Sequence, residues 1–180
     1  VLACTRYPVR SDALNTLAAS HHEQIIVHAL DVGDHAQIER LAQSLSGESI
    51  DLLINNAGIY TASPNDAFGN TDYEAWMRAF LINTMAPLKM VQTFASQIAR
   101  SGQKTTVTIS SKMGSITDNT TGGNYIYRSS KGAVNMILKT LAIDLKSAGI
   151  ISMALHPGWV KTDMGGPNAL IDATESVSGM

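Results

Sequence analysis

Short apolar runs separated by helical stripes restrict this chain to a narrow set of folds. Ile25-Ile26-Val27-His28-Ala29-Leu30 is β-branched and nearly continuous, as suits a parallel strand covered on both faces. Ile50 to Ile54, Thr105 to Ser110 and Ile150 to Leu155 read as further strands, and Val1-Leu2-Ala3-Cys4 starts abruptly, like the middle of another. Between them apolar residues recur at helical spacing: Ala13, Leu14, Leu17 and Ala18 after the cap candidate Ser11, then Ile38, Leu41, Ala42 and Leu45 from Asp34 to a stop at Gly47. A long pattern from Tyr73 to Ile98, ended by Gly102, carries Trp76, Phe80, Leu81, Leu88, Val91 and Phe94 on its buried side; another runs from about Tyr125 to Lys146. Such alternation implies right-handed βαβ crossovers and an α/β, doubly wound, mostly parallel sheet in a single domain over residues 1–180.

In sheets of this kind ligands bind beyond the carboxyl ends of the strands. Asn55 to Gly58, Ser110-Ser111 and His156 to Gly158 each follow a strand, so they converge on that edge. Composition narrows the chemistry. Charged residues make up 16% and the net charge is -2, which supplies neither a nucleic-acid tract nor a polybasic membrane surface. The single cysteine, Cys4, excludes an intramolecular disulfide framework and a cysteine zinc cluster, and no metal site is expected. No apolar run approaches the ~18 residues of a membrane span, and no signal peptide is visible, so the expected location is cytoplasmic.

Chemistry concentrates in Tyr127-Arg128-Ser129-Ser130-Lys131. Residues four apart share a helix face, so the phenol of Tyr127 and the ammonium of Lys131 can approach one point. A phenol titrates near 10, and about 4 kcal/mol would bring it near neutrality. One cation at ~4 Å supplies about that much at an effective dielectric of ~20, against the desolvation of both groups. A tyrosine so tuned is a general acid or base. The spacing alone is weak, since chance gives about 0.2 such pairs in a chain of this composition.

It gains weight from its company. Asn55-Asn56-Ala57-Gly58, Asn83 in Asn-Thr-Met-Ala-Pro, Ile109-Ser110-Ser111, the Tyr127–Lys131 run and Pro157-Gly158-Trp159-Val160-Lys161-Thr162-Asp163-Met164 stand in the order and spacing of a classical short-chain dehydrogenase/reductase, which the chain resembles over essentially all of its length. The segments ALHPGWVKTDMGG and TDNTTGGNYIYRSSK are similar to the C-factor and sniffer-type carbonyl reductases. The resemblance implies a Rossmann-like fold and a catalytic set of Asn83, Ser111, Tyr127 and Lys131. Tyr127 would protonate a substrate carbonyl as hydride arrives from a nicotinamide. Lys131 would hold the nicotinamide ribose and depress the phenol pKa. Ser111 would hydrogen-bond the same carbonyl oxygen, and Asn83 would position a water linking Lys131 to solvent.

Cofactor contacts are implied for Arg6, Asp31, Asn55, Ala57, Gly58, Tyr127, Lys131, Pro157, Gly158, Val160 and Thr162. Gly58 lets the backbone pass close to the cofactor, and Asn55 ties neighbouring strands together. Trp159, Met164 and Tyr125 are candidates for a substrate pocket. Ordinary structural alternatives stand beside these: Ser111 as a cap of its strand end, Asn83 as a solvent-facing helix residue, Asp31 as the start of a turn, Arg6 as a solvated surface residue. His156, before Pro-Gly and without metal partners, reads as structural.

The expected function is hydride transfer between NADP and a small-molecule carbonyl or alcohol, with NADP preferred over NAD because Arg6 stands near the end of its strand where an acid would favour NAD. The alternative is a cofactor-binding signalling or scaffold protein of the same fold with little turnover. A homodimer is expected through the two long helices, with Val134, Ile137, Leu138, Leu141 and Leu145 at the interface; the alternative is that the same stripe only packs on the sheet. The fold is expected to be truncated at both ends, because the Gly-rich phosphate loop of the family and the strand before it would precede Val1, and a final strand would follow Met180. The absent strand would belong between Val1–Cys4 and Ile50–Ile54, leaving them unpaired with each other and the isolated chain poor at binding NADP.

Overall fold

The computed structural model describes residues 1–21, 24–61 and 66–180. They form an α/β, Rossmann-like fold in two compact units, Val1–Ser46 and Gly47–Met180. In the first, strand β1 (Leu2–Thr5) precedes a 3-10 turn over Pro8–Arg10 and helix α1 (Asp12–Ser20). Strand β2 (Ile26–Ala29) and helix α2 (His35–Ser44) follow. β1 and β2 pair in parallel, with Leu2 opposite Ile26 and Thr5 opposite Ala29. Asp34 caps α2 as its position predicts, accepting from the amides of Ala36 at 3.0 Å and Gln37 at 3.2 Å. Ser11 precedes α1 but does not cap it; its hydroxyl donates to the Tyr7 carbonyl at 3.0 Å.

In the second unit β3 (Leu52–Asn55), β6 (Thr105–Ile109) and β7 (Ile151–Leu155) form a parallel sheet in the order β3-β6-β7. Between β3 and β6 come a small antiparallel hairpin, β4 (Asp66–Ala67) with β5 (Asn70–Thr71), and helices α3 (Tyr73–Phe80) and α4 (Ala86–Ala99). Helix α5 (Tyr125–Asp144) joins β6 to β7, and a short α6 (Ala173–Ser178) follows. The hairpin and α6 carry no periodic signal and were not expected. The two parallel sheets correspond to the 3-2 and 4-5-6 portions of the doubly wound order 3-2-1-4-5-6. β3 pairs with β6 in parallel, Leu52 opposite Thr105 and Asn55 opposite Thr108.

Two expectations change. β2 is not covered on both faces, since Ile26 is exposed. In β3 the exposed Leu52 and Ile54 likewise alternate with the buried Leu53 and Asn55, because successive side chains point to opposite faces and α4 packs against one of them. Three of the five residues of the expected interface stripe also lie inside. Val134, Leu138 and Leu141 are buried where α5 packs on β7, Ile137 and Leu145 are half-buried, and the large apolar residues α5 turns outward are Tyr125, Met136 and Ile143. No helix among the described residues is long and apolar enough to cross a membrane.

Candidate active site

The long helical pattern from Tyr73 is interrupted where it matters. Leu81–Met85 form a single π-type turn between α3 and α4, a widening found often at functional sites. Asn83 sits in it, buried, with its side chain directed at the chain leaving β3. Its Oδ1 accepts from the Ile59 N–H at 2.8 Å, and Nδ2 donates to the Ile59 carbonyl at 2.9 Å and to Ser130 Oγ at 3.0 Å. Thr84 Oγ1 adds a bond to the Ser130 carbonyl at 2.9 Å, and Trp76 Nε1 one to Ser129 Oγ at 2.9 Å. The α3–α4 rod is thus fastened to α5 at Ser129 and Ser130, directly before Lys131. Asn83 is not solvent-facing, and both its amide protons are engaged by protein.

Tyr127 and Lys131 lie one turn apart on α5 and both are buried. Lys131 Nζ donates to the carbonyl of Ile109, at the end of β6, at 2.8 Å and stands 5.7 Å from the centre of the Tyr127 ring. Burial depresses its ammonium from an ordinary 10.5 to about 8. Tyr127 moves the other way from the expectation. Burial pushes the phenol up, the hydrogen bond with the Ser111 hydroxyl pulls it down, and Tyr60 adds to the rise. The expected lowering by Lys131 is not seen: burial is the largest influence on the phenol and it works upward. Ser111 also caps the 3-10 turn Lys112–Gly114 that follows its strand, accepting from the Met113 amide at 3.1 Å.

Gly58 faces this cluster. A Cβ there would lie 3.4 Å from Asn83 Oδ1 and 3.7 Å from Lys131 Nζ, so a side chain would crowd the ammonium. Asn55 ties strands together as expected, its Nδ2 reaching Thr108 Oγ1 on β6 at 3.2 Å and the Pro87 carbonyl at 3.5 Å. Ala57 is exposed beside them at the strand edge.

The remaining candidates make local contacts. Pro157 accepts the Ser176 hydroxyl at 2.6 Å, and Gly158 has φ 83°, with the Ile171 side chain against its open face. Val160 bridges to Ile171. Thr162 Oγ1 accepts from the Gly165 amide at 3.1 Å, and the exposed Trp159 donates to the Gly165 carbonyl at 2.8 Å. Met164 and Tyr125 are exposed. His156 accepts the Lys112 amide at 3.4 Å, a structural bond. In the other unit Asp31 closes its own turn on the Gly33 amide at 2.8 Å, and the exposed Arg6 lies over the Tyr7 ring at 5.7 Å. Sequence reasoning singled out none of Tyr60, Asp66, Asn124 and Gly114: Asn124 lies in the quoted segment before Tyr127 with no sign of its partner, and the other three belong to no periodic pattern or quoted motif. Gly114 is the floor under Lys131, since a Cβ there would lie 2.7 Å from the Lys131 carbonyl carbon.

With that geometry in place, the likeness to known proteins is specific. The chain is 41% identical to C-signal of Myxococcus xanthus over 131 residues, 73% of this chain and 78% of that protein. It superposes on the NADPH-bound carbonyl reductase from chicken fatty liver with a TM-score of 0.89 at 36% identity, covering 100% of this chain and 77% of that one. The carbonyl reductase Sniffer of D. melanogaster gives a TM-score of 0.89 at 29% identity, over 97% of this chain and 75% of that one. The chain spans less than two thirds of several other relatives. The model of the short chain dehydrogenase family matches residues 1–170. A match of that extent, together with a serine, a tyrosine and a lysine gathered at the strand ends, makes this chain a member of the short-chain dehydrogenase/reductase family.

Proposed function

We propose that this chain carries the reaction centre of an NADP-dependent carbonyl reductase, working reversibly on a small carbonyl or alcohol. The observation that supports it above all is the meeting of the half-buried Ser111 with the buried Tyr127 and Lys131. NADPH, when bound, supplies the hydride. Tyr127 keeps its proton at neutral pH because burial raises its pKa, so it is a ready donor to a carbonyl oxygen. Ser111 holds the same oxygen with its hydroxyl, a preorganised dipole facing the charge that develops there. Lys131 stays largely protonated at neutral pH, and the ammonium protons not bound to Ile109 are those that would hold the ribose hydroxyls. The bare face of Gly58 is the space such a ribose needs.

Arg6, at the end of the strand in the first unit, is read as the residue that favours the 2′-phosphate of NADP over NAD. Pro157, Gly158, Val160 and Thr162 are read as the loop beside the nicotinamide, with Asp31, Asn55 and Ala57 as further cofactor contacts. Residues 1–180 are read as one cofactor-binding domain. We place the enzyme in the cytosol, in keeping with its lone cysteine, and as a homodimer that uses the outward Met136 and Ile143 of α5. A second reading, a cofactor-binding signalling protein with little turnover, draws on the similarity to C-signal.

One assay separates the two. Oxidation of NADPH, and of NADH for comparison, is followed in the full-length protein with a panel of ketones, aldehydes and quinones. The expected result is turnover that prefers NADPH and falls by at least about 100-fold in Tyr127→Phe while NADPH still binds. Near-normal turnover in that variant removes Tyr127 from its role, and binding without turnover in the wild type supports the signalling reading.

A further inference from the structure

The residue ahead of α5 does not cap the helix that carries Tyr127. Asn124 has a left-handed backbone, φ 51° and ψ 45°, and its side chain makes no capping bond. An asparagine here would ordinarily accept an amide of the first turn. Its Oδ1 instead accepts the Tyr60 hydroxyl at 2.9 Å. Capping passes to the hairpin before α3. Both carboxylate oxygens of the buried Asp66 lie 3.2 Å from the Ile126 N–H, and the Asp66 carbonyl takes the Asn124 N–H at 3.1 Å. The helix start is therefore satisfied from a distant segment, which frees Asn124 to hold Tyr60.

Tyr60 holds the proton donor in turn. Its ring meets that of Tyr127 edge to face, with centroids 4.8 Å apart and planes at 88°, the arrangement the aromatic quadrupole favours. An aromatic side chain on a helix has more than one staggered choice, and a ring packed edge-on removes the space for the others. With its hydroxyl tied to Asn124, Tyr60 cannot swing aside. The groups around the Tyr127 phenol are then Ser111, Lys131 and Tyr60, each anchored at a second point: to the Met113 amide, the Ile109 carbonyl and Asn124.

We propose that Tyr60 is a positioning residue for this reaction: pinned by Asn124, whose own place is set by Asp66, it fixes the Tyr127 ring so that the hydroxyl faces Ser111 and the incoming carbonyl. The proposal rests on Tyr127 as the proton donor. Misplacing a reacting group by about 1 Å costs up to about 100-fold in rate, so a loosened ring is visible in turnover without any loss of cofactor.

The test uses the full-length protein with Tyr60→Leu, Tyr60→Phe, Asn124→Gly and the Tyr60→Phe/Asn124→Gly pair, beside Tyr127→Phe. Asn124→Gly keeps the left-handed backbone and deletes only the side chain. Turnover, NADPH affinity and the thermal midpoint are measured, together with the Tyr127 resonance in cofactor-free protein labelled at tyrosine 13Cζ. Tyr60→Leu is expected to lower kcat about tenfold, to leave NADPH affinity within about twofold, and to move the Tyr127 resonance. Tyr60→Phe and Asn124→Gly should each lower kcat about threefold, and the double variant no further, since all three remove one bond.

Unchanged kcat in Tyr60→Leu beside an inactive Tyr127→Phe overturns the proposal. So does a loss of kcat matched by proportionate losses of cofactor affinity and midpoint, which is the signature of plain packing. If Tyr127→Phe itself turns over, the donor assignment fails separately. The resonance then still decides whether Tyr60 fixes the ring, and an unmoved Tyr127 signal in Tyr60→Leu overturns it.

Discussion

Asn83 clamps the backbone of Ile59 from both sides, accepting its N–H at 2.8 Å and donating to its carbonyl at 2.9 Å. A side-chain amide is the one group that mimics a peptide unit in this way, having a donor and an acceptor side by side. The π-type turn at Leu81–Met85 carries that amide. Replacement by alanine leaves two backbone groups and Ser130 Oγ without this partner. The expected loss is about 2–3 kcal/mol, or about 5–10 °C in midpoint for a chain of this size. Thermal unfolding of Asn83→Ala checks it, and an unchanged midpoint would show that water replaces the amide without cost.

Lys131 makes the reaction sensitive to mildly alkaline pH. With its ammonium depressed to about 8, the group is charged below that pH and neutral above it. Because kcat/KM reports the free enzyme, kcat/KM for carbonyl reduction should fall as pH rises through about 8. Lys131→Arg should remove that limb, since a guanidinium stays charged throughout. A wild-type profile flat to pH 10 would contradict the assignment.

The same burial costs stability. A fall from 10.5 to about 8 corresponds to about 3 kcal/mol against the charged form. Below about pH 8 the lysine is charged in both the folded and unfolded states, and the cost is constant. Between about 8 and 10.5 the unfolded chain binds more protons, so the fold gains stability with rising pH until the cost is gone. Lys131→Met leaves the Ile109 carbonyl without its partner, a loss of about 1 kcal/mol. At pH 7 it should nonetheless be more stable than the wild type by about 1–2 kcal/mol while losing turnover, with the gap narrowing above pH 8. Denaturant unfolding at pH 7 and pH 10 measures both effects.

Gly114 and Gly102 form a matched pair of substitutions. A Cβ at Gly114 would press on the Lys131 backbone at 2.7 Å, whereas one at Gly102 meets nothing within 4 Å. Gly114→Ala is expected to destabilise by about 1–3 kcal/mol and to reduce kcat by displacing Lys131. Gly102→Ala should be close to neutral in both. Parallel unfolding curves and turnover numbers for the two variants decide it.

Tyr127 and Lys131 were legible because a helix period is a local property: residues four apart share a face whatever the rest of the chain does. The strands from Ile26, Leu52, Thr105 and Ile151 were legible for a similar reason, since β-branched runs between turn residues carry their own signal. Asn55 was read correctly as a link between strands, because an amide at the end of a buried strand needs partners. Periodicity marks which side of a helix is apolar, but not what covers it. Val134, Leu138 and Leu141 therefore looked equally fit for the sheet or for a second copy, and packing put them on the sheet.

The electrostatics were decided by tertiary structure alone. Which effect wins at Tyr127 depends on how deeply the ring is buried, and the Lys131 ammonium finds its acceptor at Ile109, 22 residues away. Tyr60, Asp66 and Asn124 were invisible for the same physical reason. Their bonds to one another and to α5 span 58 to 64 residues in sequence, and a single tyrosine, aspartate or asparagine in a loop carries no mark of the partner it will meet. Amino-acid order set the elements and the chemistry they bear, because both are local. The burial, the acceptors and the ring contact that tune that chemistry exist only once distant segments have closed around it.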